Sequence, residues 1–366
     1  MRCHSRAPGD AAHLSANLHN TVTWLYLVFG ILIFLLTDVA SSQSITVNLG
    51  PYGFPSGKVD LPSDVFYISS ERLALFFDRG EASDSSVQND LKHRHQFLVL
   101  VFSVKGQLLA RQTVYGLPKA VDIKPGPGGG LTVGREGKAG FYDPDLGLKQ
   151  SMALSSDVTG ISFNRRLNQL VIATLDDTLQ SRTIRLLDGT TREVLESFTI
   201  PKTVAYITGN REIAFSTGGN CANSTRIISR ERSWGALKGL PICGFTTFVG
   251  DDALAYTFDR SLYVVNNGGK QLLRESIPAF DDMDSPFFAG ISDDNSRLAI
   301  EVWKSRVFRK PGDYPKYKEV FVYDLPSHKR LLSIPLTSGT TASALSPDGK
   351  QLATIDDDLL KLIPIP

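Results

Sequence analysis

Apolar residues in this chain come in runs of four to seven, each closed by a short polar turn. Leu73–Phe77, Phe97–Phe102, Leu170–Thr174, Leu262–Val265, Val320–Tyr323 and Leu352–Ile355 are examples. Runs of that length, rich in Val, Ile, Phe, Tyr and Thr, are too short for helices and read as strands, with Gly and Pro marking the turns between them. The pattern predicts an all-β protein.

The runs also repeat. A small residue sits within an apolar run at Ala74, Thr132, Ala173, Ala214, Ala255, Ala299 and Ala353, at intervals of 58, 41, 41, 41, 44 and 54 residues. A second half follows in most units: strand, polar turn, strand, as in LVLVFSVKGQLLARQTV (98–114), TIRLLDGTTREVLESFTI (183–200) and VFVYDLPSHKRLLSI (320–334). A period near 40 with four strands per unit is the signature of propeller blades. Seven units predict a seven-bladed β-propeller, with six or eight blades as the alternatives if one of the two long intervals is misread. The small residue leaves room for larger side chains of the neighbouring sheet where blades crowd the axis. Four units carry an Asp four residues later, at Asp78, Asp177, Asp259 and Asp357, and each is expected at the turn into the third strand, accepting backbone N–H groups.

LSPDGKQLATIDDDLLKLIPI (345–365) and VFVYDLPSHKRLLSIP (320–335) resemble the WD40-like and YVTN-type repeats of bacterial extracytoplasmic propellers, and the resemblance extends over about residues 45–366. It implies the architecture and leaves activity open, because such propellers serve as scaffolds, receptors and enzymes. No blade closes on Trp-Asp or opens on Gly-His, so the hydrogen-bonded tetrad of eukaryotic WD40 repeats does not carry over. The last unit has only three strands before the chain ends. The alternating SITVNLG (44–50) is the one strand left unassigned, and it is expected to complete that blade and close the ring.

Residues 1–42 stand apart from the propeller at 44–366. Polar residues with Arg2 and Arg6 precede the apolar run Trp24–Leu36, which is followed by small residues. This reads as a secretion signal cleaved near Ser41–Gln43, or as a retained anchor helix drawn from Val22–Ala40. Either places the propeller outside the cytoplasm, periplasmic or secreted, touching a membrane only through an uncleaved segment. Cys221 and Cys243 are the cysteines beyond the leader, and an even pair in an exported chain predicts a disulfide closing a loop of about 22 residues, worth about 3 kcal/mol.

A net charge of +1 argues against nucleic acid as a partner, and no cofactor or metal site is expected. No GxSxG, HExxH or phosphate-binding loop occurs, and GPGGG (126–130) reads as a turn between blade strands. The expected function is a monomeric, non-enzymatic binding module or scaffold; the alternative is a propeller-housed enzyme, lactonase-like or quinoprotein-like, with a scattered site. Two long connections after second strands, 78–97 and 303–320, are predicted to overhang one face on either side of the last blade. They bring His93, Arg94 and His95 together with Arg306, Arg309, Lys316 and Tyr317, a basic and aromatic set suited to an acidic protein surface, an anionic glycan or a phosphorylated headgroup.

Overall fold

The computed structural model describes residues 43–54, 63–81, 95–116, 121–135, 137–154, 158–165, 167–176, 178–201, 205–208, 213–217, 226–229, 246–249, 253–258, 261–266, 270–276, 287–304, 317–336 and 341–366. Strand β1 (Ile45–Asn48) comes first. Sheet 1 then holds β2 (Ser63–Tyr67), β3 (Arg72–Glu81), β4 (His95–Ser103) and β5 (Leu108–Gly116); sheet 2 holds β6 (Asp122–Pro125), β7 (Leu131–Arg135), β8 (Lys138–Tyr142) and β9 (Leu148–Ala153). Sheet 3 is β10 (Val158–Asn164), β11 (Gln169–Asp176), β12 (Ser181–Asp188) and β13 (Val194–Pro201), and sheet 4 is β14 (Ala205–Thr208), β15 (Ile213–Thr217) and β16 (Arg226–Ser229). Sheet 5 has β17 (Thr246–Val249), β18 (Ala253–Phe258), β19 (Ser261–Asn266) and β20 (Gln271–Ser276); sheet 6 has β21 (Phe287–Ile291), β22 (Arg297–Lys304), β23 (Tyr317–Asp324) and β24 (Lys329–Leu336). Sheet 7 is β25 (Thr341–Leu345), β26 (Gln351–Asp356) and β27 (Leu359–Pro364), completed by β1 in the order β1-β27-β26-β25.

Among the described residues this is a β-propeller with six four-stranded blades, which corrects the seven expected. Sheet 4 has three strands among the described residues, and the next described strand, β17, pairs within sheet 5. The physical reason for the miscount is that a small residue marks a second strand whether or not a fourth strand completes the sheet. No helix occurs among the described residues beyond two three-residue 3-10 turns, and the expected signal or anchor helix lies outside them.

The small residues sit in the second strands, and those of sheets 1, 5, 6 and 7 pack against the next sheet. Ala74, Ala173, Ala255, Ala299 and Ala353 are wholly buried, and Thr132 nearly so. Ala353 lies in a cluster with Leu73, Leu75, Leu98 and Leu100 of sheet 1, Ala74 packs with Val133 and Tyr142 of sheet 2, and Ala299 with Leu345 and Leu352 of sheet 7. Ala255 belongs to the cluster holding Ile300 and Phe321 of sheet 6. A larger side chain would push adjacent sheets apart at their closest approach.

Closure joins the two ends of the propeller sequence. Strand β1 runs antiparallel to β27, with Ile45 opposite Leu362 and Asn48 opposite Leu359, as expected from SITVNLG. The turn of sheet 1 between β4 and β5 lies against this strand. Gly106 adopts φ +77°, and a Cβ there would stand 2.9 Å from the methyls of both Ile45 and Val47.

Ala353→Leu is expected to destabilise the protein by about 1–3 kcal/mol in chemical denaturation, the usual cost of overpacking a filled core. A loss near zero would show that the second strands are not the tight point between sheets.

Candidate binding site at the channel mouth

Strand direction alternates within each sheet, so turns between first and second strands and turns between third and fourth strands share one face. On that face sheets 6 and 7 carry matching Ser-x-Asp turns. Ser292 Oγ donates to Asp294 Oδ1 (2.5 Å) and accepts Arg297 N–H (2.9 Å); Ser346 Oγ donates to Asp348 Oδ1 (2.7 Å) and accepts Gln351 N–H (2.9 Å). Each carboxylate therefore caps a tight turn that starts a second strand. The Ser292 hydroxyl, followed by the amide and hydroxyl of Ser296, holds Asp294 below the usual carboxylate range.

The first residue of the second strand then clamps the next sheet. Arg297 donates from Nη1 to Gly349 C=O (2.8 Å) and from Nη2 to the C-terminal Pro366 C=O (2.9 Å). Gln351 accepts from the Tyr67 hydroxyl (2.9 Å) and donates to Val104 C=O (3.3 Å). Arg72 donates to Asp145 of sheet 2 (2.7 Å). Asp293 N–H adds a bond to Pro347 C=O (2.6 Å), so sheets 6, 7 and 1 are joined at this end by main-chain acceptors as well as by packing. Burial, with Asp348 adding, pushes the Tyr67 phenol far above its ordinary value, so it stays a donor to Gln351.

From the other side of the ring, Arg165 extends out of the turn after β10 and donates from Nη2 to Tyr67 C=O (2.6 Å). Sheet 2 lies between these two sheets, and its turn at this face is the glycine-rich Gly126–Gly130. That segment forms a 3-10 turn at Pro127–Gly129, with Gly130 so close to Tyr142 that a Cβ would stand 1.9 Å from its carbonyl oxygen. With no side chain beyond that of Pro127, the turn leaves space above it. Ile68, Ser69, Ser70, Gly129 and Arg165 line one part of a cavity of about 620 Å³, and Asp293, Asp294, Pro347 and Asp348 line the rest. Five sheets contribute, so this is the mouth of the central channel. Burial lowers the Arg165 guanidinium from its ordinary value, against the opposing pull of Asp293.

Deeper in the channel, Asp64 and Asp122 of the innermost strands share Lys124, at 3.7 and 3.6 Å, and Ser343 donates to Glu301 (2.8 Å). Asp64 keeps 40% exposure because it faces the channel, yet protein surrounds it closely enough that desolvation raises its carboxyl. Lys124 and the Val65 amide oppose this, while Asp122 and Glu301 add to it.

The residues singled out from sequence fall elsewhere. His95 opens β4 and its Nδ1 lies 2.5 Å from Oδ2 of Asp78, which is fully buried. Asp78 itself lies inside β3 and not in the turn beyond it, because β3 continues through a bulge at Arg79–Gly80 to Glu81; its Oδ1 accepts Gly80 N–H (2.7 Å). Asp357 occupies the β26–β27 turn at φ +57°, while the neighbouring Asp356 bonds Lys361 (2.6 Å). Asp177 and Asp259 lie outside the described residues; in the turn of sheet 3 it is Asp176 that caps Thr178 and Leu179. His93, Arg94, Arg306, Arg309, Lys316, Cys221 and Cys243 also lie outside them, and Tyr317 is described only as the first residue of β23. Strands β3 and β22 end at the face opposite the mouth, on sheets 1 and 6, which flank sheet 7.

Sequence reading missed Arg165, Asp293 and Asp348 as a group. The Ser-x-Asp spacing at 292–294 and 346–348 marks two of the turns, but nothing local marks an Arg that spans from sheet 3 to sheet 1.

Fold and site together define a β-propeller with a charged channel mouth. The β-propeller domain of the Trilobed protease from Pyrococcus furiosus, described as having an open velcro topology, is similar over 82% of this chain and 93% of its own, with TM-score 0.52 and 13% identity. Uncomplexed Pyrococcus horikoshii acylaminoacyl peptidase is similar over 86% of this chain, with TM-score 0.54 and 12% identity, and the chain spans about half (51%) of that enzyme's length. Likeness at this identity is a likeness of fold. No family model and no curated protein matches the chain.

The raised carboxyl of Asp64 gives a pH dependence. A folded-state value above the ordinary 3.8 means that folding favours the protonated form, so its contribution is full below pH 3.8 and is lost as pH rises through the raised value. Asp64→Asn is therefore expected to raise the thermal midpoint at pH 7 and to leave it nearly unchanged at pH 3. Equal effects at both pH values would contradict the account.

Proposed function

We propose that this chain is a non-enzymatic β-propeller binding module whose ligand surface is the channel mouth. The observation that carries the reading is the 620 Å³ cavity, walled by turns of five sheets that place one guanidinium and three carboxylates around a single opening. The volume is within the range of small-ligand clefts. The clamps of Arg297 and Gln351 fix the walls through main-chain acceptors, so the site is formed before any ligand arrives.

Export belongs to the same reading, with the leader of residues 1–42 removed or kept as an anchor, and Cys221 paired to Cys243. The long connections of sheets 1 and 6 would then form a second surface on the opposite face, for an anionic protein, glycan or headgroup. One observation favours the enzymatic alternative: a buried Asp78 aligned on His95 Nδ1 is the arrangement that orients an imidazole for proton transfer.

Thermal-shift screening of the wild type and Asp293→Asn against soluble metabolites, saccharides and short peptides tests the main reading. At least one compound is expected to raise the midpoint of the wild type and to raise that of the variant less. No shift with any compound, or equal shifts in both proteins, would overturn the mouth as the binding surface.

A further inference from the structure

The charges left free at the mouth are specific in sign and place. Among the described residues Arg165 makes a single hydrogen bond, from Nη2 to Tyr67 C=O, so its remaining N–H donors have no partner. They belong to the wall that also holds Ser69, Ser70 and Gly129. On the other wall Asp294 is consumed, its Oδ1 and Oδ2 being taken by Ser292 and Ser296. Asp293 has no side-chain hydrogen bond, and Asp348 uses only Oδ1, for Ser346 and the Lys350 amide. One guanidinium therefore faces two available carboxylates, from sheet 3 on one side of the ring and sheets 6 and 7 on the other.

A ligand of one charge sign fits such a cavity badly. An anion that engages Arg165 brings its charge toward Asp293 and Asp348, and a cation that engages the aspartates leaves a partly desolvated Arg165 unpaired, each at a cost in affinity. A neutral ligand leaves both walls unpaired. A molecule with a carboxylate at one end and an ammonium at the other satisfies both, and a cavity of about 620 Å³ has room for a chain of a few residues between the two groups. Ile68 and Pro347 add apolar surface to the same cavity.

We infer that the mouth takes a short peptide with both termini free, its α-carboxylate on Arg165 and its α-ammonium against Asp293 and Asp348. This rests on the reading of the mouth as the binding surface. The Ser69 and Ser70 hydroxyls stand on the carboxylate side, where they can donate to the same group.

Calorimetric titration of the full chain at low ionic strength with triglycine, triglycine amide and N-acetyl-triglycine tests it. Triglycine is expected to bind the wild type, and either cap is expected to weaken binding about tenfold or more, as loss of a charge-assisted hydrogen bond does. Arg165→Ala should abolish the preference for a free carboxylate over the amide, while Asp293→Asn should reduce the preference for a free amine over the acetylated end. Arg165 also ties Tyr67, so a melting curve must show that the variant is folded; Asp293→Asn, with no side-chain bond to lose, carries the test if Arg165→Ala does not fold. Failure of triglycine to bind, or equal affinity for free and capped peptides, overturns the inference. If in that case another compound still shifts the wild type more than Asp293→Asn, the binding module stands and only the peptide assignment falls; if none does, both fall.

Discussion

Everything at the mouth depends on one pairing, that of β1 with β27. Four residue pairs from Ile45↔Leu362 to Asn48↔Leu359 give sheet 7 its fourth strand and join residues about 315 positions apart in sequence. Sheet 7 lies between sheets 1 and 6, and its turn at 346–350 supplies Pro347 and Asp348 to the cavity. Without the closing strand, β27 would present an open edge.

The second strands transmit that closure to the mouth. Their small residues let sheets 7, 1 and 2 approach closely, and the residue that opens each strand, Gln351 or Arg72, reaches the next sheet at the same end. Packing and clamping are therefore properties of a single strand, buried at its middle and polar at its start. The glycine-rich turn of sheet 2 is the complementary device: it omits side chains where Arg165 must pass, and its close approach to Tyr142 tolerates no Cβ at Gly130. A charged cavity results from a regular scaffold and two local departures from it.

What could be read from sequence follows the range of the interactions. The spacing of Ala74, Thr132, Ala173 and their successors reports strand packing that recurs from sheet to sheet, so the propeller architecture was visible in it, and closure was visible in the alternating residues 44–50 beside a last unit of three strands. The fourth sheet was overcounted because its second strand keeps the signal while its described strands number three. The pairing of His95 with Asp78 was hidden by the bulge at Arg79–Gly80, which extends β3 past the expected turn and brings a residue taken for a loop onto a strand. Arg165 meets Tyr67 from 98 residues away, in another sheet, and no periodic pattern encodes such a contact.

The account's central claim is that turns from separate sheets form one site. Hydrogen–deuterium exchange of the full chain with and without saturating triglycine tests it most directly. The account predicts added protection confined to residues 68–71, 126–130, 165–168, 292–297 and 346–351, which are far apart in sequence and meet only at the mouth. Protection on a single turn, or on the strands of the opposite face, would contradict it.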